Sequence, residues 1–173
     1  IKLVKINDNG DELLIDILQK GDLFGDLNLE KTSDQPEFFK VVSEEAIICT
    51  FFKENLENLM LKKPDFALHY IKFIGFKHKI IKNRYENILF RDAKHRLLLL
   101  LNTIIEKECP QKSTFILPNY LNQKDMAQLI CSSRQTIVSL LKELKQEGIL
   151  HYSQKEIVVQ DIELIKKILN NVK

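Results

Sequence analysis

Two runs of side chains in the last third of the chain have the types and spacing needed to read DNA. Asn122-Gln123-Lys124-Asp125-Met126-Ala127-Gln128-Leu129-Ile130 opens on a helix-capping residue and puts Met126, Leu129 and Ile130 on one face, which predicts a short helix. Cys131-Ser132 reads as a turn. Ser133 then caps a second helix from Arg134 to Gln146, with Ile137, Leu140, Leu141 and Leu144 inward at helical spacing and Gly148 as its stop. Ala127 supplies the small side chain that two steeply crossing helices need where they touch. The pair forms a helix-turn-helix, and its chemistry is hydrogen bonding to a duplex whose major groove receives the start of the second helix. Ser133, Arg134, Gln135, Val138 and Ser139 are the candidate base contacts: arginine forks onto guanine, glutamine onto adenine, and valine packs on a thymine methyl. Gln123, Lys124, Ser132, Thr136 and Lys142 are candidate phosphate contacts, which position the protein without specifying sequence. Lys145 reads as part of a solvated face.

Several elements must hold this motif. Ile149 to Tyr152 and Glu156 to Val159 predict two short strands joined by Ser153-Gln154-Lys155, a wing. Asp92 to Glu108 predicts a helix with Leu97, Leu98, Leu101, Ile104 and Ile105 inward, ended by Cys109-Pro110, and Ser113 to Pro118 a loop and short strand. Arg91-Asp92 is the candidate hinge. Upstream, Pro64 suits the first turn of a long helix to about Leu89, preceded by a short one from Lys53 to Met60. Within the long helix Ala67, Ile71, Ile74, His78, Ile81, Tyr85 and Ile88 alternate spacings of four and three, a heptad seam, beside a second stripe of Phe66, Tyr70, Phe73 and Ile80. One stripe can cover the N-terminal domain, and the seam then suits the same helix of a second copy. The alternative is one thick stripe buried inside a monomer.

Before residue 53 the pattern is β. Ile1, Leu3 and Ile6 lead into Asn7-Asp8-Asn9-Gly10, a chain-reversing turn, and Leu13, Ile15 and Ile17 alternate with polar neighbours. Gly21 and Gly25 bracket Leu23-Phe24 in a tight connection, and Val41-Val42 and Ile47 to Phe52 read as further strands of an antiparallel roll, with Cys49 in its core.

Charge separates the halves: the first 52 residues hold eleven acidic against five basic side chains, and the rest hold 21 basic against thirteen acidic. A polyanion suits only the second part. Three widely spaced cysteines, Cys49, Cys109 and Cys131, suit a reducing cytoplasm and spell no disulfide framework or metal set. No apolar run is long enough for a bilayer, so no membrane role is expected. Ile1 opens inside a strand pattern without an initiator methionine, so the natural chain is expected to begin upstream. Among lone residues, His78 on the seam suits register fixing, with haem ligation or pH gating as alternatives. Cys131 suits a plain turn residue, with a redox thiol beside DNA as the alternative; His69, His95 and His151 read as surface or half-buried.

The run from Leu121 to Ile137, with Lys142 to Leu150 after it, resembles the CRP/FNR family of bacterial regulators, named for the cyclic-AMP receptor protein and the fumarate-nitrate reduction regulator. The family's "Q-x-D-[LM]-A" and "S-R-x-T-[VI]" patterns are present as Gln123 to Ala127 and Ser133 to Ile137. Gly21-Asp22-Leu23-Phe24-Gly25-Asp26 is similar to the glycine-bracketed turn of its cyclic-nucleotide-binding-like roll, and the Pro64 helix to its dimer helix. The resemblance implies an effector pocket around Gly21, Phe24, Gly25 and Asp26. Members that bind cyclic nucleotides pair the phosphate with an Arg-Ser or Arg-Thr step; Asn28 to Lys40 contains no arginine, and Glu37 would repel the phosphate, so cyclic AMP is not expected. The four-cysteine set of the iron-sulfur members is absent as well. Gln135 and Ser139 stand where the family usually has an acid and a second arginine, so the operator need not match familiar family sites.

The expectation is therefore an α+β protein: an antiparallel β-roll (1–63), a dimerisation helix (64–90) and a winged helix-turn-helix (91–173). It reads as a cytoplasmic, homodimeric DNA-binding regulator of pseudo-palindromic double-stranded sites. Its small-molecule effector and any cofactor are unknown, and RNA polymerase is a partner if it activates. The alternative is an effector-binding or protein-interaction module whose winged helix is only a contact surface. No nucleophile–base pair or metal set suggests an enzyme.

Overall fold

The computed structural model describes residues 1–24, 37–108, 114–117, 121–153 and 156–171. Strands β1 (Lys2–Ile6) and β2 (Glu12–Ile17) form a hairpin, and β3 (Glu37–Lys40) pairs antiparallel on the other side of β1, in the order β2-β1-β3. The hairpin turn follows from its residues: the Asn7 side-chain oxygen accepts from the backbone N–H groups of Asn9 and Asp11 at 3.0 and 2.8 Å, and Gly10 supplies φ +82°. On one side of β2 the register jumps, pairing Leu3 with Asp16 and Val4 with Leu14, so Ile15 has no partner opposite it. That skip is a β-bulge, and β2 lies at the edge of the sheet among the described residues.

Two expected strands are absent. Val41-Val42 and Ile47 to Phe52 lie in irregular chain, and the strand is displaced to Glu37–Lys40. The reason is burial: Ile47 and Phe52 are 86% and 76% exposed, so this apolar run has no sheet or core to pack on among the described residues. Cys49 is accordingly exposed rather than in the core.

Helix α1 (Lys53–Lys62) leads into α2 (Pro64–Phe90), with Pro64 at its start as expected. No residue of α2 is buried, although the helix is strongly apolar. Its two stripes differ: Phe66, Tyr70 and Phe73 are half-buried, whereas Ile71, Ile74, His78, Ile81, Tyr85 and Ile88 of the seam are all exposed and Ala67 is half-buried. Ile80, expected with the covered stripe, is exposed. The helix breaks at Arg91-Asp92, the expected hinge, where the Asp92 carboxylate accepts from the His95 backbone N–H at 2.7 Å and caps α3 (Ala93–Glu108).

The remainder packs around one core. Leu97, Leu98, Leu101, Ile104 and Ile105 of α3 are buried against α4 (Gln123–Leu129), α5 (Arg134–Gln146) and a small sheet of β4 (Phe115–Ile116), β6 (Ile157–Val159) and β5 (Leu150–Tyr152). A last helix, α6 (Ile162–Asn171), was not apparent in the sequence reading; it buries Ile162 and Ile165 against α3. His95 is buried at 8% exposure, against the expectation of a surface or half-buried residue. Burial lowers its pKa from the ordinary 6.5, the nearby Arg91 charge adds to that, and Asp92 opposes it.

Candidate nucleic-acid interface

The DNA-reading motif forms as its capping residues dictate. Asn122 and Asp125 make a reciprocal capping box at the start of α4: the Asn122 side chain accepts from the Asp125 N–H at 3.0 Å, and the Asp125 carboxylate from the Asn122 N–H at 2.9 Å. At the start of α5 the Ser133 hydroxyl oxygen accepts from the Thr136 N–H at 3.0 Å. Between them Cys131 adopts φ +52°, the left-handed conformation that reverses the chain within so short a turn. Its Sγ belongs to an exposed residue.

Helix α5 separates its faces cleanly. Ile137, Leu140, Leu141 and Leu144 are buried, and Met126, Ala127, Leu129 and Ile130 meet them from α4. Ser133, Arg134, Gln135 and Ser139 are exposed and Val138 is half-buried beside them, so the structure brings all five candidate base contacts together on one outward face. Of the candidate phosphate contacts, Lys124 and Lys142 are exposed, whereas Gln123, Ser132 and Thr136 are half-buried. Gln123 donates its amide to the Tyr152 hydroxyl, which ties the start of α4 to the wing strand. Thr136 shares a 2.8 Å hydrogen bond with the Ser133 hydroxyl. The wing strands pair as expected and close through the Ser153 N–H to Glu156 carbonyl bond at 2.9 Å; Gln154 and Lys155 lie outside the described residues.

Residues that the sequence did not single out hold this surface in place. Arg96 on α3 donates to the carbonyl oxygens of Ile130 at 2.9 Å, Arg91 at 2.5 Å and Cys131 at 3.5 Å, so a cation sits at the C-terminal end of α4 and grips the turn. Lys94 bridges Glu143 and Glu147 of α5 at 2.8 and 2.6 Å. Burial alone would lower the Lys94 pKa, but its two carboxylate partners raise it above the usual lysine value. These partners are invisible to periodicity because most are backbone carbonyls.

The implied effector pocket is only partly described. Gly21 takes φ +87°, and Phe24 packs its ring against Phe39 at 4.6 Å between centroids; Gly25 and Asp26 lie outside the described residues. Asp22 pairs with Lys77 of α2 at 3.3 Å; burial pushes its carboxyl up, but the Gln19 N–H and Lys77 outweigh that and hold it below its usual range. The Tyr70 hydroxyl on the covered stripe is buried without a hydrogen-bond partner, and burial raises its pKa. Among the described residues no cluster of His, Cys, Asp and Glu could hold a metal, and no helix is long and apolar enough to cross a membrane.

A capped recognition helix with a polar outer face and a wing behind it define a winged helix-turn-helix of the DNA-binding kind. Residues 95–168 match the Crp-like helix-turn-helix domain. The Anaerobic regulatory protein of Bacillus subtilis is 22% identical over 151 residues, 87% of this chain and 63% of that protein. The CRP-like cAMP-activated global transcriptional regulator of Mycobacterium tuberculosis is 18% identical over 168 residues, 96% of this chain and 75% of that protein. Among solved structures, CprK complexed with OCPA superposes with a TM-score of 0.67 at 19% identity, over 96% of this chain and 75% of that one. The chain therefore spans 63% to 75% of the length of these relatives. Residues 95–168 thus carry a Crp-like helix-turn-helix domain, and the chain is similar along most of its length to regulators of the CRP type.

Proposed function

We propose that this chain acts in the cytoplasm as a homodimeric, sequence-specific regulator that places two recognition helices in successive major grooves of a pseudo-palindromic site, about 10 bp apart. The observation that carries this is the outward face of α5, where Arg134 and Gln135 stand exposed at the first helical turn above a fully buried inner face. The seam of α2 supports the dimer: Ile71, Ile81 and Tyr85 are 64%, 67% and 61% exposed, an apolar stripe that the chain itself leaves uncovered. Packing it against the same stripe of a second copy makes an isologous interface on the two-fold axis that a pseudo-palindrome requires. Register fixing remains the reading of the exposed seam residue His78.

An effector in the roll would bias the spacing of the two recognition helices. Its chemistry differs from cyclic AMP, because the segment from Asn28 to Lys40 lacks the arginine that would neutralise a cyclic phosphate. The unpartnered Tyr70 hydroxyl, on the half-buried stripe of α2, offers such a ligand one hydrogen bond. RNA polymerase is the further partner if the protein activates.

The test is a gel shift of random genomic duplex over a salt series, with the oligomeric state measured in parallel. Retardation at low salt that falls steeply as salt rises is expected. A folded dimer that retards no duplex at low salt would leave the winged helix as a contact surface only, the mark of an interaction module.

A further inference from the structure

The first helix of the helix-turn-helix does not hang free of the β-domain. Beside the apolar patch where Val4 and Leu14 join its core, it is fastened to the edge of β2 by the side chains of Gln128 and Arg84. Gln128 on α4 acts as a surrogate strand: its carbonyl oxygen accepts from the Leu14 N–H at 2.9 Å, and its amide donates to the Glu12 carbonyl at 2.9 Å. Those two backbone groups are what an edge strand leaves unpaired. Arg84, on the half-buried side of α2, completes the junction. One guanidinium nitrogen donates to the Ile15 carbonyl at 3.2 Å, and the other to the Leu129 carbonyl at 2.7 Å. Ile15 is the residue that the bulge leaves without a partner on β1. Leu129 is the last residue of α4. A third contact, Lys2 Nζ to the Asp125 carboxylate at 2.7 Å, joins β1 to the capping box.

We propose that Gln128 and Arg84 form a clamp that locks α4 to the edge of β2 and so fixes the angle at which α5 is presented to DNA. They are positioning residues: neither lies on the outward face of α5, and the clamp leaves Arg134 and Gln135 exposed. Because α4 and α5 share one buried core, a rotation of α4 on the β2 edge carries the recognition helix with it. Through Arg84 the dimer helix, the β-domain and the helix-turn-helix meet at one side chain, so a movement of β2 or of α2 reaches α5 by way of its first helix. The clamp's role rests on the DNA-binding reading above.

Gln128→Met keeps the shape and removes both hydrogen bonds. Arg84→Lys keeps the charge, but a single ammonium cannot hold two carbonyls with the fork geometry of a guanidinium. Each variant is compared with the wild type on an operator selected by the wild-type protein from random duplex, with its half-sites moved apart or together one base pair at a time. The wild type should show a sharp optimum. In both variants the preference for that optimum over a one-base-pair shift should fall by about tenfold, the value of one to two hydrogen bonds. Affinity for random duplex at low salt should stay within twofold, by the same token that the base- and phosphate-facing groups are untouched. Amide exchange at Leu14 should quicken in Gln128→Met, reporting the lost partner directly. An unchanged spacing profile with faster Leu14 exchange would overturn the positioning role. So would a rise in affinity at every spacing, which would make the contact a brake. If the wild type retards no duplex at all, the DNA-binding reading falls first and the clamp's role with it, a failure visible without either variant.

Discussion

Replacing Arg134 with alanine separates base reading from everything else the recognition helix does. Arg134 is the first residue of α5, exposed, and follows the N-cap Ser133, so its removal takes no buried area and no cap from the fold. Stability should therefore change by no more than about 0.5 kcal/mol. The loss on DNA is larger, because a bidentate arginine–guanine contact carries about 1 to 3 kcal/mol of discrimination. A dimer presents the residue twice, so the operator affinity should fall by about 2 to 6 kcal/mol, roughly 30-fold to 10⁴-fold at 1.4 kcal/mol per decade. On random duplex only the coulombic share is lost, which should be no more than about tenfold. The assay is fluorescence anisotropy on both duplexes at one fixed salt concentration, with urea denaturation as the control. Equal loss on operator and random duplex would refute the assignment of Arg134 as a base reader, as would a loss of stability large enough to account for the weaker binding.

Three other perturbations address the elements behind that face. Ser133→Ala removes the acceptor of the Thr136 N–H and of the shared hydroxyl bond, and should cost about 1 kcal/mol in urea denaturation. Ile81→Asp puts a charge into a seam residue that is 67% exposed in the single chain, and should give monomers in sedimentation with an unchanged far-UV spectrum and a lost operator complex; a dimer that persists would move the interface elsewhere. His95 has a folded-state pKa below its ordinary 6.5, so the unfolded chain binds the proton more tightly. Its contribution is nil well above 6.5, and it destabilises progressively as pH falls through that value toward the lowered folded pKa. Denaturation midpoints of His95→Gln between those limits should fall less with acid than those of the wild type.

What the sequence showed and what it hid divide along one line. Positions that bury apolar side chains at helical spacing were legible: α5 begins at Arg134 and ends at Gln146, the limits read from Ser133 and the stop at Gly148, and its four inward residues are the four that are buried. The four-three spacing on α2 marks a stripe that is exposed in the single chain apart from the half-buried Ala67, and the spacing alone does not say what covers it. Apolar content without alternation misled. Ile47 to Phe52 has the composition of a buried strand, yet no strand among the described residues pairs with it and its side chains lie in solvent. His95 was missed because it is carried into the core by α3, where burial depends on neighbouring elements and not on its own sequence context. Helix α6 does carry a sequence signal, since Ile162, Ile165, Ile168 and Leu169 repeat at helical intervals. Arg84, Arg96 and Gln128 were beyond reach, since each is fixed by backbone carbonyls or an amide that only the folded chain brings near.

Those hidden residues bear on how a regulator of this kind can be adjustable at all. The recognition helix is over-determined inside its own domain: it is capped by Ser133, buried along one face and braced by Lys94, so it moves as a unit with α4. Between that unit and the sheet lie polar contacts through Gln128, Arg84 and Lys2, beside a small apolar patch where Val4 and Leu14 join the core of the helical domain. Such bonds contribute about 0.5 to 1.5 kcal/mol each, more when charged, so their sum is within the few kcal/mol that a bound ligand can supply. The patch of Val4 and Leu14 is small, so it adds to what such a shift must overcome without the resistance of an extended apolar interface. A junction set largely by polar contacts gives one preferred angle and allows another, and the hinge at Arg91, whose carbonyl Arg96 holds, is where the chain would turn.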